Sequence, residues 1–178
     1  MADNQPISRA KIKAKLDAHA LWLDGKPGGQ QADFSGANLG FAHLRGANLR
    51  SANLHNTNLT GANLRGANLR HARLIRANFC GAYMSGADLR EVNLFNARLI
   101  KADFEDAILE LANLEGADFT GAYLCGANLC RANLREANIT NTDFRGANMA
   151  NVNVMGAFKM LENGKKLTVT AHDFYGAV

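Results

Sequence analysis

Proline is nearly absent from this chain of 178 residues, with Pro6 and Pro27 the two that occur. Its ring fixes φ and removes a backbone donor, so it interrupts any regular ladder, and beyond Pro27 nothing of that kind stands in the way. Tryptophan occurs once, at Trp22, and cysteine three times, at Cys80, Cys125 and Cys130. This odd set of thiols falls on outward positions and forms no metal-ligand spacing. It points to a reducing compartment, most simply bacterial cytoplasm. No apolar run reaches the roughly 18 residues of a membrane span, and the N-terminus lacks the apolar core of a signal peptide. The five histidines are scattered without companion carboxylates or cysteines. No Ser/His/Asp or Cys/His arrangement and no phosphate loop is present, since strings such as GANLRG are not followed by the Lys-Ser/Thr of a P-loop. Catalysis, cofactors and metals are therefore not expected.

What the chain does have is a five-residue rhythm running from Ala32 to Gly156 without a slip, 25 pentapeptides in frame. The middle residue is always apolar, mostly Leu with some Phe, and ends as Met149 and Val154. Two residues before it stands Ala, except at Thr57, Val92, Thr142 and Val152. A period of five suits neither ordinary element. On a helix it advances about 500° and smears the Leu residues round the axis. On a straight strand it sends successive Leu residues to opposite faces. The chain must turn once per repeat to keep every Leu inward. Four short extended segments with right-angle corners close a square coil of 20 residues, and coils stack at roughly 4.8 Å. So narrow a tube holds one bulky residue per side with a small one beside it, hence Leu with Ala. Gly, frequent at the last position of the repeat, suits the corner. Asn before the core residue implies ladders of stacked amides.

The strings ANLRG, ADLRE and ADFTG resemble the pentapeptide repeat family, whose motif is A-(D/N)-L-x-x. The resemblance covers about 70% of the chain. It implies a right-handed quadrilateral β-helix; the handedness comes from the resemblance and not from the spacing. The expected fold class is thus an all-β solenoid of about six coils with an N-terminal helical cap and a short C-terminal cap.

Three regions follow. Residues 1–31 form a tail and a helix, with Ser8 as N-cap and Ile12, Leu16, Ala20 and Leu23 on one side, stopped by Gly25 and Pro27. Leu21 and Trp22 broaden that side. The helix is expected to cover the open end of the first coil, where unpaired strand edges invite aggregation; docking onto a partner is the rival reading. Residues 32–156 are the β-helix. Residues 157–178 break the pattern, since Lys159 takes the core position, and Asn163-Gly164 signals a hairpin. Phe158, Phe174 and Tyr175 would complete a C-terminal cap, or pair two copies as related proteins often do.

Stacking turns sequence into columns. Arg50, Arg70 and Arg90 share one face, Arg45 and Arg65 the next. Residues 32–90 carry net charge +5 and residues 91–120 net −5, so the rod is polarised along its axis. Outward apolar residues gather at the change of sign: Ile75 with Phe95, Ile100 above Cys80, then Ile108 and Leu111. The leading functional expectation is a non-enzymatic scaffold that binds an unidentified protein. The resemblance also offers a DNA-mimicking, DNA gyrase or topoisomerase-directed protein, but that subgroup is strongly acidic and often carries loops, whereas this chain is basic and uninterrupted. Weak nucleic-acid binding through the Arg columns is the third reading, and few exposed aromatics are available for base stacking.

Overall fold

The computed structural model describes residues 5–162 and 164–170. Its body is built from parallel bridges between residues 20 apart, starting with Asp33↔Asn53 and ending with Asn138↔Phe158. The reason lies in how each pentapeptide disposes of its backbone donors. The core residue donates to the coil below, as in Phe34 N–H to Asn53 O at 2.8 Å. The corner residue two later does the same, Gly36 to His55 at 2.8 Å, while Asn53 N–H returns to Ala32 O at 2.9 Å. The Ala N–H closes the corner onto the preceding core residue, Ala37 to Phe34 O at 3.0 Å. One donor is left, on the residue just after the core position. It goes to the Asn or Asp side chain two residues back, as in Gly40 N–H to Asn38 Oδ1 at 3.0 Å and Ser35 N–H to Asp33 Oδ1 at 2.8 Å. The Asx side chain thus replaces a backbone acceptor within every ordinary repeat.

The amides also form ladders along the rod. Asn58 Nδ2 donates to Asn38 Oδ1 at 3.0 Å, and Asn133 to Asn113 at 3.2 Å. Every corner residue of the 25 repeats has positive φ, whether Gly36 at 64° or Phe41 at 58°. Gly occupies this site without the Cβ penalty. The interior is almost wholly apolar, with Ala and Leu or Phe at most a few per cent exposed in the central coils. Thr57 is tolerated in an Ala position because its hydroxyl donates to Phe34 O at 2.8 Å, and Thr142 repeats the arrangement on Phe119 O. The branched residues still loosen the corner. Its hydrogen bond lengthens to 3.4 Å at Val92 and 3.3 Å at Val152, against 2.8–3.1 Å where Ala stands.

Helix α1 (Arg9–Leu23) begins at Ser8, whose hydroxyl accepts from Lys11 N–H at 3.3 Å. The buried side chains are Ile12 and His19, with Leu16 and Leu23 half-buried. This corrects the expected stripe: Ala20 is exposed, and His19 holds the inward place. The helix is tied to the first coil by Ile7 N–H to Asn38 O at 3.0 Å and Lys15 Nζ to Asp33 O at 2.8 Å. Gln31 Nε2 reaches Ser51 O at 2.6 Å.

At the other end the ladder runs two residues past Gly156. Ala157 is buried and Phe158 pairs with Asn138, so the break comes at the exposed Lys159. Strands β1 (Phe158–Met160) and β2 (Lys166–Thr168) pair antiparallel, and Val169 turns inward onto Ala157 O. Lys166 Nζ lies 3.7 Å from the centre of the Phe158 ring. Phe174 and Tyr175, like Asn163, lie outside the described residues.

Candidate functional site

Since the interior is filled by packed side chains, whatever the rod does must be done by its outward columns. Among the described residues no group of three His, Cys, Asp or Glu side chains is placed to hold a metal. No described helix is long and apolar enough to cross a membrane.

The Arg columns are largely neutralised by the chain itself. Arg70 reaches Glu91 at 2.9 Å, Arg90 binds both oxygens of Asp88, and Arg65 lies 3.4 Å from Asp103. The Arg90 guanidinium holds the Asp88 carboxyl below its usual range. Among the described residues Arg45 and Arg50 form no ion pair.

The apolar residues picked out from the sequence are less prominent than expected. Ile75, Phe95, Ile100 and Ile108 are half-buried, because residues 20 before and after crowd each outward side chain at the coil spacing. Leu111, at a corner, stands 48% exposed. Cys80, Cys125 and Cys130 are free and likewise half-buried, not exposed. Besides Trp22 on helix α1, the aromatics that project are ones the repeat pattern concealed: Phe41, 75% exposed, and Tyr83 and Tyr123, 44% and 54% exposed. Phe41 borders a cavity of about 620 Å³ between helix α1 and the first coil, together with Ile7, Ile12, Leu16 and His43.

Tyr83 and Tyr123 share one face, where Tyr83, Asp103, Tyr123 and Asp143 are bridged in series. These are ladder positions, ordinarily filled by Asn. A tyrosine there cannot accept from the residue two ahead as Asn78 and Asn128 do, and among the described residues the N–H groups of Ser85 and Cys125 find no partner. The Arg65 guanidinium lies 4.5 Å from the centre of the Tyr83 ring, within cation–π range. Ser85 Oγ donates to Asp103 at 2.7 Å. One step along, Arg145 grips Asp143 through Nε at 3.0 Å and Nη2 at 2.7 Å, driving the Asp143 carboxyl far below its ordinary range. Burial, reinforced by Asp143, pushes the Cys125 thiol up, so it is not an activated nucleophile. A shallow depression of about 280 Å³ is lined by Asp103, Glu105, Tyr123, Cys125, Asp143 and Arg145. Six repeats put another residue in the position otherwise held by Asn or Asp, namely His43, Arg73, Tyr83, Arg98, Ile108 and Tyr123, and the two tyrosines are the aromatic rings among them that stand exposed on one face.

Comparison with known proteins agrees with the repeat. A family model described as pentapeptide repeats matches residues 32–70, 72–110 and 112–151 in eight copies. No curated protein matches the chain. Among solved structures, HetL from the cyanobacterium Nostoc sp. strain PCC 7120, described as involved in heterocyst differentiation regulation, is 30% identical. The match covers 78% of this chain and 76% of HetL, with a TM-score of 0.42. Rfr23 from the cyanobacterium Cyanothece 51142 is 27% identical over 83% of this chain and 95% of its own, at 0.42. A thylakoid-lumen protein of Arabidopsis thaliana is 27% identical over 66% and 68%, also at 0.42.

Proposed function

The chain belongs to the pentapeptide repeat family, a right-handed β-helix solenoid, and from that premise we propose that it is a non-enzymatic scaffold binding another protein. One observation carries the reading. At Tyr83 and Tyr123 the chain gives up the side-chain acceptor that its fold uses for the remaining backbone donor, and sets an exposed ring there instead. The exchange costs the fold a side-chain acceptor at each of the two positions, whereas protein interfaces favour Tyr and Arg anchors inside a polar surround.

The same reading takes the rod as about six coils, with helix α1 as its N-terminal cap. Pairing of two copies through the C-terminal end draws support from Met155, Met160, Leu161 and Leu167, all exposed there. The half-buried apolar column of Ile75, Phe95 and Ile100 would flank the interface. The free thiols accord with a reducing compartment such as bacterial cytoplasm. Nucleic acid is disfavoured as partner, because Arg65, Arg70 and Arg90 already hold carboxylates.

The test is capture from a host extract by the full chain, compared with the Tyr83→Asn, Tyr123→Asn double variant. A specific protein held by the first and lost from the folded second supports the scaffold. Enzymatic turnover, or capture of nucleic acid alone, would sink it.

A further inference from the structure

The tyrosine face contains a translational repeat two coils long, and the four positions compared differ at two, one of which reverses charge. Adding 40 to the numbers of Arg65, Tyr83, Ser85 and Asp103 gives Glu105, Tyr123, Cys125 and Asp143. In the first copy the chain supplies its own cation: Arg65 lies over Tyr83 with Nη2 at 3.4 Å from Asp103, which also accepts from Ser85. In the second copy the place of Arg65 is taken by Glu105. Its carboxylate is exposed and makes no hydrogen bond or ion pair among the described residues. Among the described residues no cation lies over the Tyr123 ring, which is the more exposed of the two.

We propose that the depression at Tyr123 seats an arginine from a basic segment of a partner protein, stacked on that ring as Arg65 stacks on Tyr83 and paired with Glu105. The site is deepened from the scaffold reading and rests on it. The surrounding charges agree with the occupant. Asp106, on the adjoining corner, has no ion pair among the described residues, and residues 91–120 as a whole are net negative. Arg145 is the cation within the depression, and it is tied to Asp143 by paired hydrogen bonds, so its charge is answered on the spot. Arginine suits the place better than lysine, because a planar guanidinium can lie on a ring and present its edge to a carboxylate at once. An anionic partner such as nucleic acid would face Glu105 and Asp106 unpaired.

The experiment titrates the full chain with the capped peptide Gly-Arg-Gly-Arg-Gly-Arg, follows the Tyr123 ring resonances by NMR, and reads affinity in every variant by calorimetry. A counterpart with citrulline in place of arginine removes the charge and keeps the shape. The expected result is a saturable shift at Tyr123 with the arginine peptide and none with citrulline. Affinity should fall tenfold or more in Tyr123→Ala. Glu105→Arg should do the same while placing its own guanidinium over Tyr123, restoring the pattern of the first copy. Both changes are outward, and circular dichroism establishes that each variant is folded. A peptide that binds Tyr123→Ala and Glu105→Arg as well as the original, or that never moves the Tyr123 ring, overturns the proposal. A host protein captured equally by Glu105→Arg removes the depression as its site and leaves the scaffold reading standing. Intact arginine binding with no host protein captured sustains the depression and sinks the scaffold.

Discussion

His19 Nδ1 accepts the backbone N–H of Ala32 at 3.0 Å, so the ring proton sits on Nε2 and is donated to Arg50 O at 2.9 Å. One neutral imidazole thereby satisfies two edge groups of the first coil. Burial, the larger effect, lowers the pKa of His19 from its ordinary 6.5, against a smaller raising effect of the Arg50 hydrogen bond. The unfolded chain therefore binds this proton more readily than the folded one. His19 contributes its full stability above about pH 6.5, and that contribution drains away as pH falls through 6.5 toward the lowered folded value. Thermal melts between pH 8 and 5 should show a falling Tm. In His19→Gln the Tm should be lower at pH 8 and the fall shallower. An unchanged slope in that variant would remove His19 as its source.

Tyr123→Asn should stabilise the rod. The new side chain regains an acceptor for Cys125 N–H and can donate to Asp103, the pattern seen at Asn58. One intramolecular hydrogen bond is worth about 1 kcal/mol net. Denaturant titration reads the difference directly, and a loss of stability would show that the exposed ring serves the fold.

Phe95→Ser with Ile100→Ser tests the apolar column. Both side chains are half-buried, so the double change should cost about 1–2 kcal/mol by lost apolar burial while leaving the β-helix spectrum intact. If the column flanks the partner surface, capture weakens about tenfold, equivalent to 1.4 kcal/mol. Undiminished capture by the folded variant would confine the interface to the tyrosine face.

Duplex DNA should bind weakly, with affinity falling steeply as salt rises. Arg45 and Arg50 carry unpaired charge, and replacing both by Glu should abolish what binding there is. Fluorescence anisotropy in low and physiological salt decides the matter. Tight binding at physiological salt would mean that the Arg–carboxylate pairs open readily to phosphate.

The coil was legible because the period of five leaves a chain no other way to keep Leu59, Leu64 and Leu69 on one interior. The half-burial of Phe95 was not, because what covers it lies 20 residues away in sequence. His19 escaped notice since periodicity counts apolar residues, and the inward place on helix α1 went to a polar one that answers the coil edge. The Asn positions were legible as an amide ladder, but that account does not explain why Asp33 and Asp88 serve equally well. The shared requirement is an acceptor two residues before a backbone donor, as at Ser35 and Arg90. Tyr123 could have been found by asking which residues break that requirement.

The 20-residue spacing of the bridges also makes the rod an indexing device. Each pentapeptide is a quarter-turn, so a loss or gain of five residues rotates everything beyond it by one face while the interior stays in register. Remove residues 102–106 and Tyr123 leaves the face of Tyr83, with every Leu still inward. Remove 20 residues and the faces realign, one coil shorter. Stability is indifferent to phase, whereas any surface assembled from several coils depends on it. In such a molecule the drift of recognition can proceed by small deletions that the fold does not register.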